Sequence, residues 1–154
     1  VRDRAVVLDD QTTIAADRVF LATGASPAPW LAASGLTCDV EGFVRVDDRL
    51  RSVSHPCVFA AGDCASQGGR SHPRSGVYAV RQGPVLAANI AGVIAGHPLR
   101  RYVPQARALA LVATGGQHAI AAYGPIAFAG DWVWRWKDRI DRRFVARYRL
   151  AKPD

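Results

Sequence analysis

Val58-Phe59-Ala60-Ala61-Gly62-Asp63-Cys64-Ala65 is the stretch on which the reading of this chain turns. It runs apolar without alternation, as strands do inside a parallel sheet covered on both faces. It then stops at a small-residue turn that carries one carboxylate. An earlier stretch has the same design: Arg18-Val19-Phe20-Leu21-Ala22 leads into Thr23-Gly24-Ala25. Two buried parallel strands, each ending in a glycine turn, predict an α/β sheet whose ligand sits beyond the carboxyl ends of the strands.

The residue types at these turns narrow the chemistry. Glycine lets the backbone approach a ligand closely, which makes Gly24 and Gly62 candidates. An acidic side chain repels a phosphate but accepts hydrogen bonds from sugar hydroxyls, so Asp63 suits a ribityl or ribose chain. From Ser75 to about Ile94 the pattern is helical, with Ser75 placed as N-cap, and Pro84 is expected to kink or divide this helix. The free N–H groups at its start, on Gly76 and Val77, and the positive end of its dipole favour an electron-rich, transiently anionic group. Together, a sugar-binding aspartate and a helix N-terminus read as half of a flavin site. Taken singly, Asp63 serves equally as a turn cap and Thr23-Gly24 as a chain reversal. Cys64 reads as a small packed residue.

Outward from this centre the chain divides. Val6-Val7-Leu8 and Thr12-Thr13-Ile14 flank a polar turn and predict a hairpin. Ser26-Pro27-Ala28-Pro29 predicts an extended connector. Phe43 to Val46 predicts a short strand, Asp47 to His55 a polar stretch, and Gln67 to Arg74 a loop. Residues 101–107 read as a boundary. Beyond it, Ala108 to Ala113 and His118 to Tyr123 flank Thr114-Gly115-Gly116-Gln117, a second hairpin. Gly130-Asp131 opens a last helix from Trp132 to about Leu150.

Composition sets the outer limits. The 154 residues are 49% hydrophobic and 21% charged, which excludes disorder, collagen and a disulfide scaffold. No apolar run is expected to reach the ~20 residues that span a bilayer. Three cysteines without a CxxC pair and four scattered histidines offer neither a redox dithiol nor a zinc site. A reduced, cytoplasmic compartment is expected. There is no methionine, and Val1 opens directly into a strand-like stretch, so the chain is expected to be a piece of a longer one.

The charge is concentrated. Between Trp132 and Lys152 eight cations face Asp138 and Asp141, so +6 of the chain's +7 lies in this segment, most of it on the last helix. Helical spacing gathers Val133, Trp136, Ile140 and Phe144 on one face, and Arg135, Asp138, Arg142 and Arg149 opposite. Such a helix packs on its own domain with a solvated basic face, or it lies at a membrane or protein surface. No nucleic-acid motif is present, and no nucleic-acid partner is expected.

The runs LATGASP (21–27), GFVRVDDRLRSVSHPCVFAAGDCA (42–65) and HPRSGVYAVRQGPVLAANIAG (72–92) resemble the carboxyl half of FAD-dependent pyridine nucleotide–disulfide oxidoreductases. YVPQARALALVATGGQHAIAAYG (102–124) and WVWRWKDRIDRRFVARYR (132–149) resemble one branch of that family. This is the type II NADH dehydrogenase-like group, which includes forms fused to selenide, water dikinase. The resemblance implies an α/β fold: a partial Rossmann-like FAD/NAD(P)-binding domain followed by a small α+β interface domain. Residues 1–100 would be the carboxyl-side half of the FAD domain, with the end of the NAD domain at 1–18. Residues 101–154 would form the interface domain.

It further implies that Asp63 bonds the FAD ribityl chain and that Gly76 and Val77 present N–H groups to the flavin pyrimidine edge. Thr23 and Gly24, like Gly62, would line the cofactor where the chain re-enters the FAD domain. The intact protein would pass electrons from NAD(P)H through FAD to a quinone or other acceptor. No GxGxxG, the loop that cradles a dinucleotide pyrophosphate, occurs in the 154 residues. The FAD site is therefore expected to be incomplete and the piece inactive alone. Its expected partners are the missing amino-terminal half, further copies of itself, and peripheral contact at the inner face of the cell membrane.

Overall fold

Short runs of β-branched residues need hydrogen-bonded neighbours to become strands, and the supply of neighbours shapes this molecule. The computed structural model describes residues 5–20, 22, 24–68 and 74–149. It separates into two units, Val1–Tyr102 and Val103–Asp154.

In the first unit, β1 (Ala5–Val7) and β2 (Thr13–Ala15) form the antiparallel hairpin expected from their sequence, with Val6 opposite Ile14. No glycine marks the turn. Gln11 takes the left-handed conformation instead, at φ 66°, and the Asp10 carboxylate accepts the Thr12 N–H at 2.9 Å. The next expected strand, 18–22, is not seen among the described residues. Residues 16–20 have no ladder partner among the described residues, and Phe20 is 90% exposed. Leu21 and Thr23 lie outside the described residues. The proline connector is extended only to Ala28, because Pro29 opens a short helix, α1 (Pro29–Ala33), whose Leu31 is buried. Proline suits that first position, where its missing N–H would have had no helical partner.

β3 (Val44–Val46) is the hub. Val44 and Val46 are buried while Arg45 points out, the period-two pattern of a strand. On one side it pairs in parallel with β4 (Ala65–Gln67), Val44 opposite Ala65. On the other side Arg45 donates to the Thr37 carbonyl at 2.9 Å and accepts from Val53 at 3.1 Å. The stretch read as merely polar, 47–55, is a tight turn. The Asp47 carboxylate accepts the Arg49 and Arg51 N–H groups at 2.8 and 3.0 Å. Leu50 sits at φ 63°, fully buried. It joins Leu31, Val44, Val46, Ala60, Ala65 and Tyr102 in the core.

The apolar run 57–61 is likewise not a regular strand. It touches the sheet through one antiparallel bridge, Arg51 with Phe59, sealed by Ser52 N–H to the Val58 carbonyl at 2.8 Å and Ala60 N–H to the Leu50 carbonyl at 3.1 Å. The Phe59 N–H therefore faces away from that bridge, and no strand lies on that side among the described residues. The parallel strand comes after the glycine turn, as β4, not before it.

α2 (Gly76–Ala95) runs unbroken through Pro84, contrary to the expected division. A proline forfeits one helical hydrogen bond, and packing of Val85 and Leu86 against the core on its far side holds the helix together. It ends at Gly96, φ 70°, whose neighbour His97 donates to the Gly92 carbonyl at 2.8 Å. By length and composition α2 is apolar enough to cross a bilayer, which corrects the expectation that no such run exists. Its buried strip, however, is Tyr78, Gln82, Asn89 and Gly92. Asn89 is a latch: its amide donates to the Arg49 and Arg100 carbonyls at 2.7 and 2.9 Å and accepts the Arg100 N–H at 2.7 Å.

In the second unit a three-stranded antiparallel meander, β5 (Ala110–Gly115), β6 (His118–Tyr123) and β7 (Ile126–Gly130), carries α3 (Asp131–Arg147). The hairpin β5–β6 was legible; β7 was not, because its five residues follow directly on the Gly124-Pro125 turn and end in Gly130, immediately before α3. Val133 of α3 is fully buried against Ala119 and Ala121. The remainder of the expected buried face is open: Trp136, Ile140 and Phe144 remain 38, 41 and 40% exposed.

Candidate functional site

A turn of three residues, Gly62–Cys64, joins the 57–61 run to β4 and packs on the first turns of α2. Gly62 is required here for its backbone. Its φ is +71°, a conformation that costs a residue with a Cβ about 1–2 kcal/mol, and a Cβ added there would stand 3.4 Å from the Ala79 methyl of α2.

The contact is fixed by a residue that sequence reasoning missed. The Gln82 side chain, 2% exposed, accepts the Gly62 N–H at 2.5 Å across twenty residues of chain. A buried N–H without such a partner would cost about 1–3 kcal/mol, so Gln82 ties the turn to the helix. Its signal was present: Gln82 and Asn89 lie seven residues apart, on the strip of α2 that also carries Tyr78. Polar side chains recurring there mark groups that bond backbone rather than water.

Asp63, at the tip of the turn, is exposed, and its carboxylate has no hydrogen bond or ion pair among the described residues. Cys64 is exposed rather than packed, which corrects its reading as a small core residue; its thiol donates to the Ala61 carbonyl at 3.3 Å. Ser75 occupies the N-cap position of α2, but its side chain makes no capping bond. The Gly76 and Val77 N–H groups thus keep the unsatisfied donors and positive dipole end of a helix start, on exposed residues.

The approach to that helix is anchored. Arg74 lays its guanidinium over the Phe43 ring, 3.4 Å from the centroid, and pairs with Asp39 at 3.6 Å and Glu41 at 3.2 Å. Burial alone would raise the Asp39 carboxyl. The Ser66 hydroxyl, the Phe43 and Glu41 N–H groups and Arg74 together hold it below its ordinary value.

Gly62, Asp63 and the start of α2 are therefore brought together. Gly24 is exposed at φ +113°, with open space where a Cβ would be; its conformation, not a close neighbour, calls for glycine. Thr23 lies outside the described residues. An exposed carboxylate beside uncapped helix amides fits the sugar and the electron-rich, transiently anionic ring edge of a flavin nucleotide. Neither group in this turn contributes a cradle for a pyrophosphate.

That pairing of an α/β turn with a helix start is the design of a nucleotide-cofactor domain. The family model for pyridine nucleotide-disulphide oxidoreductases matches residues 1–83, more than half of the chain, and the chain belongs to that family. It is an oxidoreductase of the α/β class, with part of a Rossmann-like FAD/NAD(P)-binding domain followed by a small α+β unit. The family typically binds FAD and uses NAD(P)H.

Proposed function

We propose that this chain is the carboxyl-side part of a type II NADH dehydrogenase-like oxidoreductase, of the branch that includes forms fused to selenophosphate synthase. In the whole protein it would help pass electrons from NAD(P)H to a quinone or similar acceptor. Bound FAD would supply the redox chemistry, accepting hydride and passing electrons on. The chain's own residues bind and orient. Asp63 accepts hydrogen bonds from the ribityl hydroxyls, the Gly76 and Val77 N–H groups face the pyrimidine edge, and Gln82 keeps the two in register. The observation that carries this reading is the Gly62–Gln82 bond, which locks the aspartate turn onto an uncapped helix start.

The amino-terminal half is the proposed partner of this unit, and the observations supporting it are backbone and side chain together. The open edge at Phe59 lies beside a shallow apolar depression of about 330 Å³ lined by Cys57, Phe59, Leu86, Ile90, Val93 and Ile94. The buried strip of α2 is partly polar while its apolar side is bare, the reverse of a finished surface helix. A further strand laid on Phe59 would satisfy the edge and cover those side chains at once.

The test is oxidation of NADH and NADPH with a short-chain quinone. It compares the 154 residues alone with the protein extended upstream as its gene encodes it. The extended protein is expected to turn over a reduced nicotinamide and the 154 residues to be inert. Turnover by the 154 residues alone, or an extended protein devoid of flavin, contradicts the reading.

A further inference from the structure

Asp39 lies well before the site in sequence, yet it joins the two pieces of chain that build it. Its Oδ1 accepts the Glu41 and Phe43 N–H groups at 3.0 and 2.9 Å, closing the turn ahead of β3. The same carboxylate accepts the Ser66 hydroxyl and, through Oδ2, pairs with Arg74 at 3.6 Å. Ser66 stands three residues after Asp63 and Arg74 two residues before Gly76, so the chain between them spans at most about 11 and 7 Å. Gln82 grips the turn on the near side of Asp63, at Gly62. Asp39 grips the chain on the far side and the helix approach together.

Arg74 is held on three sides. Glu41 lies 3.2 Å from its guanidinium, Asp39 closes a second side, and the Phe43 ring lies beneath, 3.4 Å from the guanidinium carbon. Fixing so long a side chain costs rotamer freedom, and the helix start is what gains. Ser75 supplies no side-chain cap to α2, so an anchor one residue earlier does the placing. The three charges do not cancel. Two carboxylates and one guanidinium sum to one negative charge, beside a helix end whose dipole is positive.

We infer that Arg74 is a positioning residue of the cofactor site, which with Asp39 and Glu41 holds the start of α2 and sets the reduction potential of the flavin bound there; this rests on the flavin reading above. Hydride from NAD(P)H carries two electrons and one proton and leaves NAD(P)+, so the flavin ring gains one negative charge. A neighbouring cation favours that charge and a neighbouring carboxylate opposes it. Arg74 and Glu41 are the two halves of one ion pair, and removing one or the other therefore moves the potential in opposite directions. If the pair only braced the backbone, losing either half would loosen the helix start alike.

The test is a redox titration of the bound flavin, followed by its absorbance, in the protein extended upstream as its gene encodes it. Arg74→Gln is expected to lower the ratio of reduced to oxidised flavin at a given potential by about threefold to tenfold, a midpoint lower by about 15–30 mV for two electrons. Glu41→Gln, at the more exposed group, is expected to raise that ratio by about twofold to threefold. Arg74→Lys keeps a cation over the ring and loses the planar fork, and is expected to stay within about twofold of wild type. Shifts of one sign in Arg74→Gln and Glu41→Gln, or unshifted potentials in folded, flavin-loaded variants, overturn the inference and leave the flavin reading standing. An extended wild type devoid of flavin overturns both. Should Arg74→Gln fail to fold, Glu41→Gln decides alone, and a midpoint at or below that of wild type contradicts the inference.

Discussion

Gln82 is the smallest part of the molecule on which the site depends. Replacing it by leucine keeps the volume and removes the acceptor for the Gly62 N–H. A loss of about 1–3 kcal/mol is expected from the stranded donor, read as a lower urea midpoint with unchanged slope. Leucine at Val80, 45% exposed on the same helix, should move the midpoint far less. Asp39 makes a separate prediction about acid. Its native carboxyl is held below the ordinary 3.8, so ionisation favours the folded state. That contribution is complete above about pH 4 and drains away as pH falls through the lower native value. Asp39→Asn should flatten the acid limb of a stability-against-pH curve and leave Arg74, the residue just before the α2 N-cap, held by Glu41 and the Phe43 ring alone; an acid limb identical to wild type would count against the anchoring role.

Elements were legible in proportion to how locally they are determined. The β1–β2 and β5–β6 hairpins carry their own turn chemistry, and α2 carries its own period and its Gly96 stop, so sequence sufficed. The runs 18–22 and 57–61 were read as buried strands from their apolar character. In the first no described residue joins a ladder, and the second makes a single bridge, because a strand is a property of a pair and their neighbours are not among the described residues. At the site, Gly62 and Asp63 are visible as a glycine turn after an apolar run, whereas Gln82 shows only as a polar side chain seven residues before Asn89; its partner, the Gly62 N–H, is set only when residues twenty apart meet. This has a measurable consequence in hydrogen exchange. The Ser52 and Ala60 amides, which seal the one bridge, should be protected, while the Phe59 amide on the open side should exchange near the unprotected rate. Comparable protection of Phe59 in the isolated chain would mean that an unseen strand already covers it.

At the scale of the whole molecule, an uncovered apolar flank on α2 and an unpaired backbone edge at Phe59 are two aspects of one deficit. Isolated, the 154 residues are expected to self-associate through them, so that the sedimentation coefficient rises with concentration; a concentration-independent monomer with a cooperative melt would oppose the proposed amino-terminal partner. The most direct measurement is the flavin content of the protein extended upstream, purified as wild type and as Asp63→Leu, with folding of both checked by circular dichroism. A half-site built on the Asp63 turn gives one FAD per wild-type chain and a variant that is folded but nearly colourless. A folded Asp63→Leu protein as yellow as the wild type would contradict it.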